Sequence, residues 1–218
     1  MRKSLVVALV LGLLASALAV APAQAGKKKK KPVETTLYLH GTQQAGEAEL
    51  PDTWINSLWF PLDTTEPSGA APKSMFVTNY VGGPNTACSG NGLLPTWKGN
   101  FAGTVKGDLT VTLHTIATPA TSLNVELFPD GSGGCDSDLG STGYAPPAAA
   151  QTVDVAPGPA VTEVKFEDVK FKTGAWMVLM LSIGNGPHPG QVRVLYDAPG
   201  YDSKIELLCI PTAGKKCA

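Results

Sequence analysis

In DLTVTLHTI (108–116), Leu109, Val111 and Leu113 alternate with Thr110, Thr112 and His114; in SLNVELF (122–128), Leu123, Val125 and Leu127 alternate with Asn124 and Glu126. A period of two places every second side chain on one face, so both runs predict antiparallel strands with one face buried. Similar runs predict strands at 35–40 (TTLYLH), 74–80 (SMFVTNY), 100–105 (NFAGTV), 152–155 (TVDV), 162–167 (TEVKFE), 191–196 (QVRVLY) and 203–208 (SKIELL). WMVLMLSI (176–183) is apolar on both faces and predicts a strand in the middle of a sheet. Gly, Pro, Asn and Ser clusters divide these runs, and beyond the first 25 residues no segment has a helical period. Roughly ten short strands separated by turns predict an all-β antiparallel sandwich. The segment 41–73 reads as irregular, with Trp54 and Trp59 capping one end of the core.

The chain begins differently. Arg2 and Lys3 precede an apolar run from Leu5 to Val20, and Ala23-Gln24-Ala25 has the form of a signal peptidase site. Residues 1–25 are therefore expected to be a cleaved signal peptide, 26–34 a basic flexible tail and 35–218 a single β-sandwich domain. The product is expected to be secreted or associated with the cell surface, and not integral to the membrane after cleavage. The exported part holds all four cysteines, an even number in a compartment where disulfides persist. Four cysteines allow three pairings; the favoured one joins Cys88 to Cys135, both in glycine-rich loops, and Cys209 to Cys217 across a short loop.

The succession TVKGDLTVTLHTI, SLNVELFPD, VTEVKFEDVKFKTGAWMVLMLSI and QVRVLYDAPGYDSKIELL, over roughly residues 97 to 209, resembles the jelly-roll, galactose-binding-like modules of secreted bacterial proteins. Similar modules occur at the C-terminal ends of exported peptidases. The most telling piece is VLYDAPGYDSKIEL, a strand, turn and strand that ends the domain. The resemblance implies a non-catalytic accessory or binding β-sandwich, in some cases with calcium in a loop.

Charge narrows the partners. From Pro32 onward there are ten basic and eighteen acidic residues, so an acidic body follows the run Lys27, Lys28, Lys29, Lys30 and Lys31. An acidic body argues against nucleic acid as a partner. The run itself reads as an extended solubilising spacer, or as a tether to anionic polymers or lipid headgroups of the envelope.

Candidate chemistry is sparse. His40, His114 and His188 lie far apart without a nucleophile motif and read as surface or loop histidines. The loop 130–143 carries Asp130, Asp136 and Asp138 near glycines; a solvated acidic turn pinned by Cys135 is the favoured reading, and a calcium site the alternative. No other cofactor is expected. Among the aromatics of irregular segments, Tyr144 and Tyr201, with Trp97, are the candidates for stacking on a sugar.

The function expected is therefore a non-enzymatic binding or structural module at the cell envelope, with a glycan, an anionic polymer or a protein as ligand. A hydrolase whose catalytic residues converge only in space is the first alternative, and an accessory partner of an exported peptidase the second.

Overall fold

The computed structural model describes residues 30–41, 59–77, 96–129, 147–183, 190–212 and 216–218. These form eleven strands: β1 (Val33–Leu39), β2 (Trp59–Asp63), β3 (Lys73–Val77), β4 (Thr96–Asn100), β5 (Gly103–Thr118), β6 (Thr121–Pro129), β7 (Ala149–Val155), β8 (Gly158–Thr173), β9 (Trp176–Ile183), β10 (Gln191–Tyr196) and β11 (Lys204–Pro211). Among the described residues no helix is long and apolar enough to cross a membrane. The signal peptide, Lys27 to Lys29, Cys88, Cys135, Tyr144, His188 and the three loop aspartates lie outside the described residues.

Two layers enclose one core. In the first, β5 pairs with β8 along its length; its other side is shared by β11 over its first half and β10 over its second. β11 continues to β1, and β10 to β3. In the second layer the order is β4, β9, β6, β7, all antiparallel. β2 joins the layers, antiparallel to β1 and parallel to β4. Inward side chains of both layers, such as Leu37, Val111 and Ile205 from one and Leu123, Val125 and Leu181 from the other, pack into a single cluster. Burying a large aliphatic side chain contributes about 1.5–3 kcal/mol, which is why the alternation dictates register.

The alternating runs became strands as expected, and β9 is buried over all but its first residue between β4 and β6. Three details differ. WFPLD, inside the segment read as irregular, is β2, so Trp59 opens a strand. TWKGN forms β4, and the strand expected over 100–105 breaks at Phe101 and Ala102 because both backbones bond elsewhere: Phe101 N–H to Ala175 O at 2.9 Å and Ala102 N–H to Cys217 O at 3.1 Å. β1 starts at Val33, inside the stretch expected to be tail. Immediately before it the Lys30 ammonium donates to the carbonyls of Pro211 at 3.1 Å and Thr212 at 2.7 Å. Cys209 is joined to Cys217, one half of the expected pairing.

Candidate functional site

The segment Tyr196-Asp197-Ala198-Pro199-Gly200-Tyr201-Asp202-Ser203 links β10 to β11, and its sequence sets its shape. Pro199 and Gly200 occupy the central positions of a turn closed by Tyr201 N–H to Ala198 O at 2.9 Å; Gly200, at φ 81°, supplies the left-handed conformation such a turn needs. Asp197 also has positive φ, 65°, a conformation that aspartate adopts more readily than most residues. Ser203, fully buried, fixes the far end: its hydroxyl donates to Leu195 O at 2.7 Å and accepts from His114 N–H at 2.9 Å, while its carbonyl accepts from Leu39 N–H at 2.9 Å. The turn therefore holds two groups of side chains in fixed places, one inside and one outside.

Inside, Asp197 is the hub. One carboxylate oxygen is bound by His40 Nδ1; the other accepts from Gly41 N–H at 3.0 Å and from Lys73 Nζ at 3.0 Å, and the Asp197 carbonyl accepts from Gly69 N–H at 3.1 Å. Lys73 also donates to Gly41 O at 2.8 Å. On the far side of the imidazole, Nε2 faces Thr65 O at 3.0 Å and Asp63 Oδ1 at 3.3 Å. Both ring nitrogens thus face oxygen acceptors, which a neutral ring satisfies on one side only and an imidazolium on both. Burial alone would raise the Asp197 carboxyl, but the hydrogen bonds from Lys73, His40 and Gly41 outweigh it and hold the group below the usual carboxylate range. Next to it, burial pushes the Tyr196 phenol up, and the Asp197 charge pushes it further.

Trp97 belongs to this interior. It has no exposed surface, its Nε1–H donates to His40 O at 3.0 Å, and its ring lies 5.8 Å from that of Phe60 and 5.9 Å from that of Tyr196. The expectation that Trp97 offers a face to a ligand is corrected: as part of β4 its indole points into the core. His40 likewise is not a surface histidine, since its side chain retains only 16% of its accessible area.

Outside, Tyr201 stands at the tip of the turn with 40% of its surface exposed, its ring 5.8 Å from that of His114 and tilted by 62°. His114 Nε2 is 3.6 Å from Asp202 Oδ1, and Lys204 lies 3.9 Å from Asp202 and 3.3 Å from Glu206. The pairing register sets Tyr38 and Thr112 on either side of Lys204, and Thr36 and Thr110 on either side of Glu206. An exposed aromatic plane thus borders a surface of charged and hydroxyl groups. Of the described residues proposed from sequence for sugar stacking, Trp97 and Tyr201, this surface holds Tyr201. Among the described residues no group of three or more His, Cys, Asp or Glu side chains is arranged to hold a metal ion.

No family model matches the sequence, and no curated protein matches it. Solved structures do resemble the fold. An aminopeptidase from a marine sediment archaeon, Thaumarchaeota archaeon, superposes with a TM-score of 0.51 at 12% identity, over 82% of this chain and 37% of the aminopeptidase. An α-amino acid ester hydrolase gives 0.48 at 13% identity, over 83% of this chain and 36% of its own. The CBM36-1 domain of a multidomain xylanase from the hindgut metagenome of Trinervitermes trinervoides gives 0.31 at 12% identity, over 84% of this chain and 100% of that domain. This chain therefore spans little more than a third of the first two. The first similarity shows a shared β-sandwich and nothing further about activity.

Proposed function

We propose that this chain is a secreted, non-enzymatic β-sandwich module that binds at the cell envelope and takes a glycan on the face around Tyr201. One observation carries the reading: an aromatic ring held on a hydrogen-bonded turn, braced by His114 and bordered by Asp202 and Lys204. A flat apolar ring covers the C–H face of a sugar, and neighbouring carboxylates, ammonium groups and hydroxyls bond its hydroxyl groups. Secretion is supported by the signal-like first 25 residues and the Cys209–Cys217 disulfide. The preference for binding over catalysis is supported by His40, whose ring nitrogens are both engaged with oxygens of Asp197, Asp63 and Thr65. The lysine run adds attraction to anionic envelope polymers.

Calorimetric titration of the full exported chain with polysaccharide isolated from the cell envelope tests this. Tyr201→Ala is expected to weaken binding about tenfold, corresponding to the loss of one stacking contact, at an unchanged melting temperature. Equal binding by Tyr201→Ala and the parent chain, or no binding by either, removes the proposal.

A further inference from the structure

Among the described residues β1 is paired along its length on one side only. β11 accompanies it from Val33 opposite Cys209 to Tyr38 opposite Lys204, whereas β2 meets only Tyr38 and Leu39. Two hydrogen bonds reveal which backbone groups face which way: Leu39 N–H donates to Ser203 O, toward β11, and His40 N–H donates to Pro61 O at 3.0 Å, toward β2. These directions alternate along a strand, so Val33, Thr35 and Leu37 turn their N–H and C=O groups to β11, and Glu34 and Thr36 turn theirs away. Among the described residues nothing pairs with Glu34 or Thr36 on that side.

The edge is left open by the interior cluster. After β2 the chain bends at Thr64; Thr65 N–H is held by Asp63 Oδ1 at 2.7 Å, Thr65 O by His40, and Gly69 N–H by the Asp197 carbonyl. These bonds draw the chain off β1 where it would otherwise extend the ladder. A groove of about 510 Å³ remains, lined by Glu34, Thr36 and Tyr38 of β1, by Thr64 and Glu66 past β2, and by Lys216. An unpaired strand edge is a template for another strand.

Charge selects the occupant. Glu34 and Glu66 outweigh Lys216 in the groove. A second copy adding its own β1 would bring both Glu34 and both Glu66 carboxylates to one seam, which like-charge repulsion opposes. Of the two described lysines of the basic run, Lys30 and Lys31, the first is fastened to the end of β11. We infer that the open edge of β1 is a strand-addition site for an extended peptide with a basic side chain facing Glu34. The backbone of Glu34 and Thr36 supplies the ladder bonds, and Glu34 and Glu66 supply the preference for a cation. The open stretch 33–37 is about 17 Å long at the usual rise per residue, enough for a short segment. The inference is independent of the glycan reading, which concerns the Tyr201 turn.

The test is amide hydrogen exchange, followed by NMR, on the full exported chain with capped Thr-Val-Lys-Val-Thr-Val as probe. Exchange at Glu34 and Thr36 is expected to slow at least tenfold in saturating peptide, with Val33, Thr35 and Leu37 unchanged because β11 already protects them. The peptide with Glu in place of Lys is expected to bind up to about fivefold more weakly, as one cross-strand charge pair allows, and Glu34→Lys to reverse that preference. A peptide N-methylated at alternate amides, which leaves the protein untouched, is expected to give no protection. No slowing at Glu34 and Thr36 in millimolar peptide overturns the site. Equal binding of the Lys and Glu peptides overturns the basic partner. Protection that rises with protein concentration alone, with a doubled mass in sedimentation, assigns the edge to a second copy and overturns the peptide as occupant.

Discussion

His40 and Asp197 are 157 residues apart in the chain and are joined directly, imidazole Nδ1 to carboxylate Oδ1. The bond ties the end of β1 to the end of β10. Through Lys73, Gly41, Thr65 and Gly69 it also gathers the start of β3 and the chain beyond β2. A carboxylate this well supplied with donors is costly to remove, because Gly41 N–H and His40 Nδ1 then lose the acceptor they face.

Asp197→Ala is expected to destabilise the protein by about 2 kcal/mol, the order of loss when a hydrogen-bonded carboxylate with little exposed surface is deleted. Chemical denaturation at pH 7 measures it, and a loss below 1 kcal/mol would show the cluster to be dispensable.

Acid should act through the same group. The Asp197 carboxyl is held below its usual range, so the unfolded chain takes up a proton more readily than the folded protein. Its contribution is therefore complete above the unfolded value of about 4 and is lost as pH falls through the lower folded value. Thermal melts between pH 7 and pH 2.5 are expected to show a steeper acid loss for the parent chain than for Asp197→Asn, which should be less stable at pH 7. Parallel curves would contradict this.

Trp97→Ala is expected to cost about 3–5 kcal/mol, the range for emptying a buried aromatic site, and to leave glycan affinity per folded molecule unchanged. Calorimetric titration under conditions where the variant is folded separates the two effects.

Replacing Cys209 and Cys217 together by Ser frees a loop closed across a sequence separation of 8. The chain-entropy relation gives about 2–3 kcal/mol for so short a loop, read as a lower denaturation midpoint.

Two glycines should respond unequally to alanine. A Cβ on Gly99 would run into the Leu62 backbone carbonyl, where β2 and β4 lie against each other, whereas one on Gly158 meets nothing within 4 Å and is opposed only by its positive φ of 81°. Gly158→Ala is expected to cost about 1 kcal/mol and Gly99→Ala clearly more. The order of the two melting temperatures checks it.

Much of the sandwich could be read from alternation, because β5, β6 and β11 each bury one face and a period of two is the direct trace of that. β2 and β4 left little trace. Each has five residues, Pro61 and Gly99 interrupt the usual strand composition, and their pairing with each other is parallel and between segments distant in sequence. Trp97 was misread for the same reason: without β4, its indole had no assigned face. The interior cluster was hidden because His40, Asp63, Lys73 and Asp197 become neighbours only when β1, β2, β3 and β10 assemble. A local sign existed in Asp197-Ala198-Pro199-Gly200, a turn sequence directly after a strand, and the turn forms there with Tyr201 exposed at its tip.

The pairing of β1 with β11 also orders events in time. Val33 lies opposite Cys209, so the first described strand finds its partner only after the 176 residues that follow Val33 have been made. The layer that contains β1 therefore cannot close before β11 has been made, and contacts of such sequence separation form slowly. Until β11 is free to pair, β1 has a partner only at Tyr38 and Leu39, among the described residues.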